Sequence, residues 1–191
     1  MEAICIYCGS SPGLNPEFRE AAINLGRQLA RDGITLVYGG GNVGLMGAVA
    51  DGAICDGGKV IGVIPQSLAD KELAHPGLAE LHVVKSMHER KKLMADLSDA
   101  FVALPGGIGT LEEILEVLTW LQLGFHQKPC AFLNLEGFFD SLLQFLQSSV
   151  DQRFLRQDFL DAILVETTPD SLLKKLHVHK PEYRDKWIDR T

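Results

Sequence analysis

Positive charge is scarce in this chain: 18 Lys and Arg stand against 25 Asp and Glu, a formal net charge of −7. A general nucleic-acid binder needs an electropositive face, so that class is excluded, although one anion held in a local positive pocket is not. Long apolar runs are missing too. No stretch approaches the ~20 apolar residues of a membrane span, and the opening MEAICIYCGSS carries Glu2 and only a short apolar segment, unlike a signal peptide. A cytoplasmic protein without a membrane partner is expected. Cysteines number four: Cys5, Cys8, Cys55 and Cys130. Cys5 and Cys8 form a C-x-x-C, but Cys5 lies inside a strand pattern rather than at a helix start, where the dipole lowers a thiol pKa. No second C-x-x-C or histidine pair completes a zinc spacing, so the pair reads as small buried residues and no metal is expected. The six histidines show no H-E-x-x-H, and His177 and His179, in a polar tail, read as solvated.

What the sequence does have is alternation. Short apolar, β-rich runs lie at 3–8, 34–39, 59–64, 81–86, 99–104, 129–135 and 162–166. Several are almost continuously apolar, the mark of strands buried on both faces of a parallel sheet. Helical patterns lie between them: Phe18, Ala22, Leu25 and Leu29 at helical spacing, then segments near 44–56, 87–97, 110–123, 138–150 and 169–177. This order predicts an α/β fold, a single-domain, Rossmann-like, doubly wound parallel sheet of about seven strands with helices on both faces. At 191 residues the chain fits one domain spanning 1–191, with 178–191 as a charged tail lying over the surface or a partner subunit. Residues 65–77, PQSLADKELAHPG, form the longest irregular stretch and read as a mobile flap or loop rather than a linker.

In such sheets ligands bind outside the carboxyl ends of the strands, which directs attention to four strand-to-helix loops. In LPGGIGTLEE, Gly106, Gly107 and Gly109 follow a buried strand and open a helix. Backbone N–H groups there can approach an anion, Thr110 adds a hydroxyl, and the helix dipole favours negative charge. Glu112, Glu113 and Glu116 share one polar arc of that helix, opposite Leu111, Ile114, Leu115, Leu118 and Leu121. Glu113 stands one turn past the glycine loop, which leaves room for a ribose between its carboxylate and a phosphate. Trp120 and Leu123 lie near the same arc, as on a helix covered on both sides in a dimer. In KSMHERKKLM, Ser86 and Glu89 have capping-box spacing, so Arg90, one turn in, leans toward the ligand edge, with Lys91 and Lys92 assisting or facing solvent. In YGGGNVGLMG, Gly39, Gly41 and Gly44 match G-x-G-x-x-G, yet the next strand, KVIGVIPQS, lacks the acid that would bind a ribose of NAD. A nucleotide or phosphate against the glycines, Gly40 and Gly41 included, stays open, and Ser10 and Ser11 of CGSSPG could add hydrogen bonds.

Taken together, CGSSPG, YGGGNVGLMG, IPQSL, HPGL, MHERK and PGGIGTLEE followed by TW-x-QLG span roughly residues 4 to 140 in order. The chain resembles the LOG family, cytokinin riboside 5′-monophosphate phosphoribohydrolases often misnamed lysine decarboxylases; the tail DKWIDRT resembles bacterial members. The resemblance implies a Rossmann-like homodimer that needs no cofactor and cleaves the N-glycosidic bond of an adenine-type nucleoside 5′-monophosphate, a prenylated one or AMP, to free base and ribose 5-phosphate. It implies Arg90 and Glu113 as the catalytic pair, and Glu72, Lys91, the loop from Gly107 through Ile108, Gly109, Thr110, Leu111 and Glu112 to Glu113, and Thr119 as substrate contacts, beside Ser10, Gly40, Gly41 and Gly106. Ile108 departs from the Tyr of plant members, which bears on base preference. Two rival readings remain: a noncatalytic nucleotide-binding or molybdenum-cofactor-carrier-like protein, against which the carboxylate of Glu113 speaks, and an NAD-linked oxidoreductase, against which the missing ribose acid speaks. A pyridoxal-phosphate decarboxylase would need a much larger chain.

Overall fold

Alternating residues of the central strands are buried on opposite sides, which is why this sequence makes a sheet covered on both faces. The computed structural model describes residues 1–70 and 74–183. In β1 (Ala3–Tyr7) and the residue after it, Ile4, Ile6 and Cys8 enter one apolar layer, while Ala3, Cys5 and Tyr7 enter the other. The same division continues through β2 (Thr35–Tyr38), β5 (Ala100–Ala103) and β6 (Cys130–Leu133). Each Ile, Leu, Val or Phe buried this way contributes about 1.5–3 kcal/mol.

With β3 (Val60–Pro65), β4 (Glu80–Val84) and β7 (Leu164–Glu166), the strands form one parallel sheet in the order β4-β3-β2-β1-β5-β6-β7. The chain leaves β1 toward one edge and returns to its other side at β5. The order therefore reverses between β1 and β5, where loops diverge and leave a crevice. The first apolar layer holds α1 (Pro16–Arg31), α2 (Gly44–Cys55) and α8 (Pro169–Val178); the second holds α4 (Met87–Asp96), α5 (Ile108–Gln122) and α7 (Gln157–Asp161). α3 (Gln66–Ala69), α6 (Asp140–Asp151) and a single 3₁₀ turn, Leu135–Gly137, complete the described elements.

The expected strands and longer helices are all present, with ends displaced by at most two residues. α3 lies in the stretch read as irregular, α7 and the 3₁₀ turn were not anticipated, and the turn takes Leu135 from the end of an expected strand. The segment expected to be a flap is tied down where it is described. Ala74 bridges to Gly41, the His75 N–H donates to the Gly40 carbonyl (3.2 Å), and the His75 ring is clamped. Its Nδ1 accepts the Gly77 N–H (3.2 Å), so Nε2 carries the proton donated to Asp51 (3.0 Å). Two expectations fall outside the described residues: Glu72 and the DKWIDRT tail. The part of the tail that is described packs on its own chain. His179, read as solvated, meets the Ala162 carbonyl through Nε2 at 2.8 Å, and the Tyr183 hydroxyl donates to the Leu121 carbonyl. Leu115, expected on the apolar arc of α5, is exposed, and Val117 is buried instead. Among the described residues no helix is long and apolar enough to cross a membrane.

Candidate active site

Gly9, just after β1, gathers three loops at the crevice. Its N–H donates to the Pro105 carbonyl after β5 (3.0 Å), and its carbonyl accepts the first N–H groups of α2, Leu45 at 3.0 Å and Met46 at 3.4 Å. The helix thus has its orphan donors satisfied by a neighbouring loop rather than by a side-chain cap. Gly44, with φ +60°, lies so close to this loop that a Cβ would sit 2.3 Å from the backbone of Ser10. No other residue type fits there.

Arg90 is reached from the opposite face. Ser86 caps α4 by accepting the Glu89 N–H (3.1 Å), while the Glu89 carboxylate turns back to the Lys85 N–H (2.8 Å) rather than to that of Ser86. This fixes the first turn, from which Arg90 runs inward and is 8% exposed. Its Nε donates to the Val63 carbonyl (3.0 Å) and its Nη2 to the Gly39 carbonyl (3.2 Å). A Cβ on Gly39 would stand 2.0 Å from Nη2, so the first glycine of the dinucleotide-like fingerprint makes room for this guanidinium. The remaining arm, Nη1, lies 3.7 Å from Glu113 Oε1. Glu113 is nearly buried as well. Burial pushes its carboxyl above the usual carboxylate range, and the facing Arg90 opposes that rise. An anchored arginine beside a desolvated carboxylate is an arrangement that binds and stabilises charge.

The pair lies in the wall of a cleft of about 360 Å³. Ser10, Gly107, Ile108, Gly109, Thr110, Glu112, Arg90 and Glu113, all singled out in the sequence, line it. Cys8, Gly9, Met46, Leu68 and Met87 line it too and were missed; each sits inside a motif already noted, but an apolar side chain there is indistinguishable from core. At the mouth, α5 begins with N-cap Gly107 in extended conformation and no side-chain cap, leaving its first N–H groups and the Thr110 hydroxyl beside the cleft.

Other expected contacts do not reach it. Gly40 and Gly41 are occupied with His75 and Ala74, docking the segment after α3. Gly106 supports Thr110 from behind: a Cβ there would meet Oγ1 at 2.0 Å. It faces a second hollow, lined by Phe18, Leu45 and Phe138, on the far side of the Gly9 ridge. Leu111 packs on the second apolar layer. Thr119 is exposed, with its hydroxyl on the Leu115 carbonyl (2.7 Å), and lies about 13 Å along α5 from Thr110. Lys91 is buried, but against Glu112 (2.5 Å) and Glu116 (3.0 Å) rather than on the cleft wall. Lys92 is exposed and pairs with Asp96. Among the described residues no cluster of His, Cys, Asp or Glu could hold a metal ion.

Comparison with known proteins agrees with this architecture. A family model described as "Possible lysine decarboxylase" matches residues 46–176. The rice cytokinin riboside 5′-monophosphate phosphoribohydrolase LOG is 49% identical over 181 residues, covering 94% of this chain and 74% of the relative. Arabidopsis LOG4, of the same activity name, is 48% identical over 179 residues, covering 93% of this chain and 83% of its own. Among solved structures, the molybdenum cofactor binding protein of Rippkaea orientalis superposes with a TM-score of 0.70 at 22% identity, over 92% of this chain and 95% of that one. The molybdenum cofactor carrier protein of Chlamydomonas reinhardtii likewise gives 0.70 at 22%, over 92% and 97%. At that identity the likeness is one of fold. With nearly half its residues shared along almost its whole length, the chain belongs to the LOG family of cytokinin riboside 5′-monophosphate phosphoribohydrolases.

Proposed function

We propose that this single-domain protein, a cytoplasmic homodimer, hydrolyses the N-glycosidic bond of adenine-type nucleoside 5′-monophosphates, N6-prenylated or plain AMP. The observation that carries the reading is the Arg90–Glu113 pair, desolvated and set one helical turn from an uncapped, glycine-lined helix N-terminus. The phosphate sits at that terminus, on the backbone N–H groups of the Gly107–Thr110 turn and the Thr110 hydroxyl. The ribose spans the distance to Glu113. As the bond from C1′ to the base nitrogen breaks, positive charge grows on the sugar, and the Glu113 carboxylate stabilises it and orients the attacking water. The water oxygen bonds to C1′, and the proton it gives up leaves with the base. Arg90, held by two backbone carbonyls, keeps Glu113 ionised and aligned against its burial. The family description of a lysine decarboxylase would require a lysine amine in the cleft to carry pyridoxal phosphate. None of the described lining residues is a lysine, and Lys91 is tied to two carboxylates, so the residues do not fit that cofactor.

Chromatography of wild type incubated with AMP and with isopentenyladenosine monophosphate is expected to show free base and ribose 5-phosphate, lost in Glu113→Gln. Release undiminished in Glu113→Gln would refute the assignment of the carboxylate. Binding of both nucleotides without release from either would refute the hydrolase and leave a noncatalytic nucleotide-binding protein. Adenosine cleaved as fast as AMP would refute the phosphate site.

A further inference from the structure

Three carboxylates of α5, those of Glu112, Glu113 and Glu116, face two cations of α4, Arg90 and Lys91. The cations are not equivalent. Arg90 reaches the cleft and Glu113, whereas Lys91, with its side chain only 8% exposed, is off the cleft wall and ends between the other two acids. Its Nζ donates to Glu112 Oε1 at 2.5 Å and forms an ion pair with Glu116 Oε2 at 3.0 Å. Glu112 is half exposed and can shed its charge into water, while Glu116 is mostly covered and cannot. At most two of the three N–H groups of this ammonium are turned to the two acids, and they hold it on the α5 side, off the cleft wall.

We propose that Lys91 is a positioning residue: it pairs with the Glu112 and Glu116 carboxylates so that Arg90 remains the partner of Glu113 alone. Without it, Arg90 would be the one nearby cation for three acids on a single helix face, and Glu113 would lose its claim on the guanidinium. The inference rests on the reading that Glu113 works as a carboxylate. The charged groups facing Glu113 are Arg90 and Lys91 on α4 and Glu112 and Glu116 on α5. From β1 come Cys5, Tyr7 and Cys8, which burial holds neutral. Arg90 and Lys91 favour the ionised form of Glu113, while Glu112 and Glu116 oppose it. Removing Lys91 must therefore extend protonation of Glu113 to higher pH, and removing the Glu116 charge must do the reverse.

The test is a pH titration of the Glu113 side-chain carbon by NMR in ligand-free protein labelled at glutamate Cδ, the signal being assigned by its loss in Glu113→Gln. The midpoint is expected to rise in Lys91→Met, fall in Glu116→Gln, return toward wild type in the double variant and stay near wild type in Lys91→Arg. With AMP, kcat/KM of Lys91→Met should fall further at pH 5 than at pH 8. A midpoint unmoved in Lys91→Met, with a higher KM for AMP at every pH, would overturn the proposal and make Lys91 a substrate contact. Should Lys91→Met fail to fold, an unmoved midpoint in Glu116→Gln overturns it equally. If wild type releases no base at all, the hydrolase reading fails, and the titration still decides the role of Lys91.

Discussion

Gly107 and Gly109 differ from the other glycines of the crevice in what a side chain would meet there. A Cβ on Gly39, Gly44 or Gly106 collides with Arg90, with the Ser10 backbone or with Thr110, so those glycines are required by the protein itself. On Gly107 or Gly109 it meets nothing within 4 Å, and neither residue has a positive φ. What these two positions keep clear is the approach to the α5 N-terminus. Gly109→Ala is therefore expected to hold or raise stability, by about 0.5–1 kcal/mol from helix propensity, while raising KM for AMP severalfold. A melting curve and a substrate titration check both halves; an unchanged KM would remove the anion from this turn. Glu113 shows the opposite conflict. Its carboxyl is held above the ordinary range, chiefly by burial, so the folded state binds this proton more tightly than the unfolded chain does. The group favours folding at low pH, and that contribution disappears as pH rises from the unfolded pKa through the raised folded value. Glu113→Gln, which has no charge to bury, should melt close to wild type near pH 4 and above wild type at pH 7, as it loses base release. A lower Tm at pH 7 would mean that the Arg90 pairing outweighs the burial.

α1 and α2 pack backbone against backbone. A Cβ on Gly26 would lie 2.1 Å from the Val49 carbonyl oxygen, and one on Gly52 would lie 2.2 Å from that of Ile23. Since α2 holds Gly9 and Met46 at the cleft, this contact sets the height of the site above the sheet. Gly52→Ala improves helix propensity by about 1 kcal/mol, yet forces the helices apart at a cost of about 1–3 kcal/mol or more. The expected result is a Tm lower by several degrees and a reduced kcat; a raised Tm would show that the helices can separate freely. The sequence announced such elements unevenly. Strands buried on both faces are continuous apolar runs, and helices of ten or more residues show their period. α3 and α7, at four and five residues, are too short to display one. At the site, Arg90 and Glu113 were legible because charge near the start of a helix that follows a conspicuous strand-to-helix motif stands out. Met46, Leu68 and Met87 were not, since an apolar wall and an apolar core use the same side chains. Lys91 was legible as a cation but not as an internal one, because its partners on α5 lie 21 and 25 positions away.

At the scale of the molecule, α5 has one face in the second apolar layer and another that the described residues leave bare. Ile108 and Leu115 are exposed along it, with Thr119 beyond them. About 13 Å of helix separates Thr119 from the phosphate turn of its own cleft, and Thr119 does not line that cleft. In a two-fold dimer closed through α5 the two helices lie against each other, and a self-complementary patch covers both rows of apolar residues at once. Thr119 of one subunit would then be carried toward the other subunit's cleft, an arrangement in which the contact implied by family resemblance could be made. Light scattering after size exclusion should give twice the 20.9 kDa of the chain. Leu115→Glu, a charge on an exposed position that no packing in the monomer needs, should give the single mass with a Tm little changed. If the dimer forms and Leu115→Glu splits it, Thr119→Val should raise KM in the dimer and have no effect in the split form. A wild-type monomer would detach the family's Thr119 contact from this protein and leave the cleft complete within one chain.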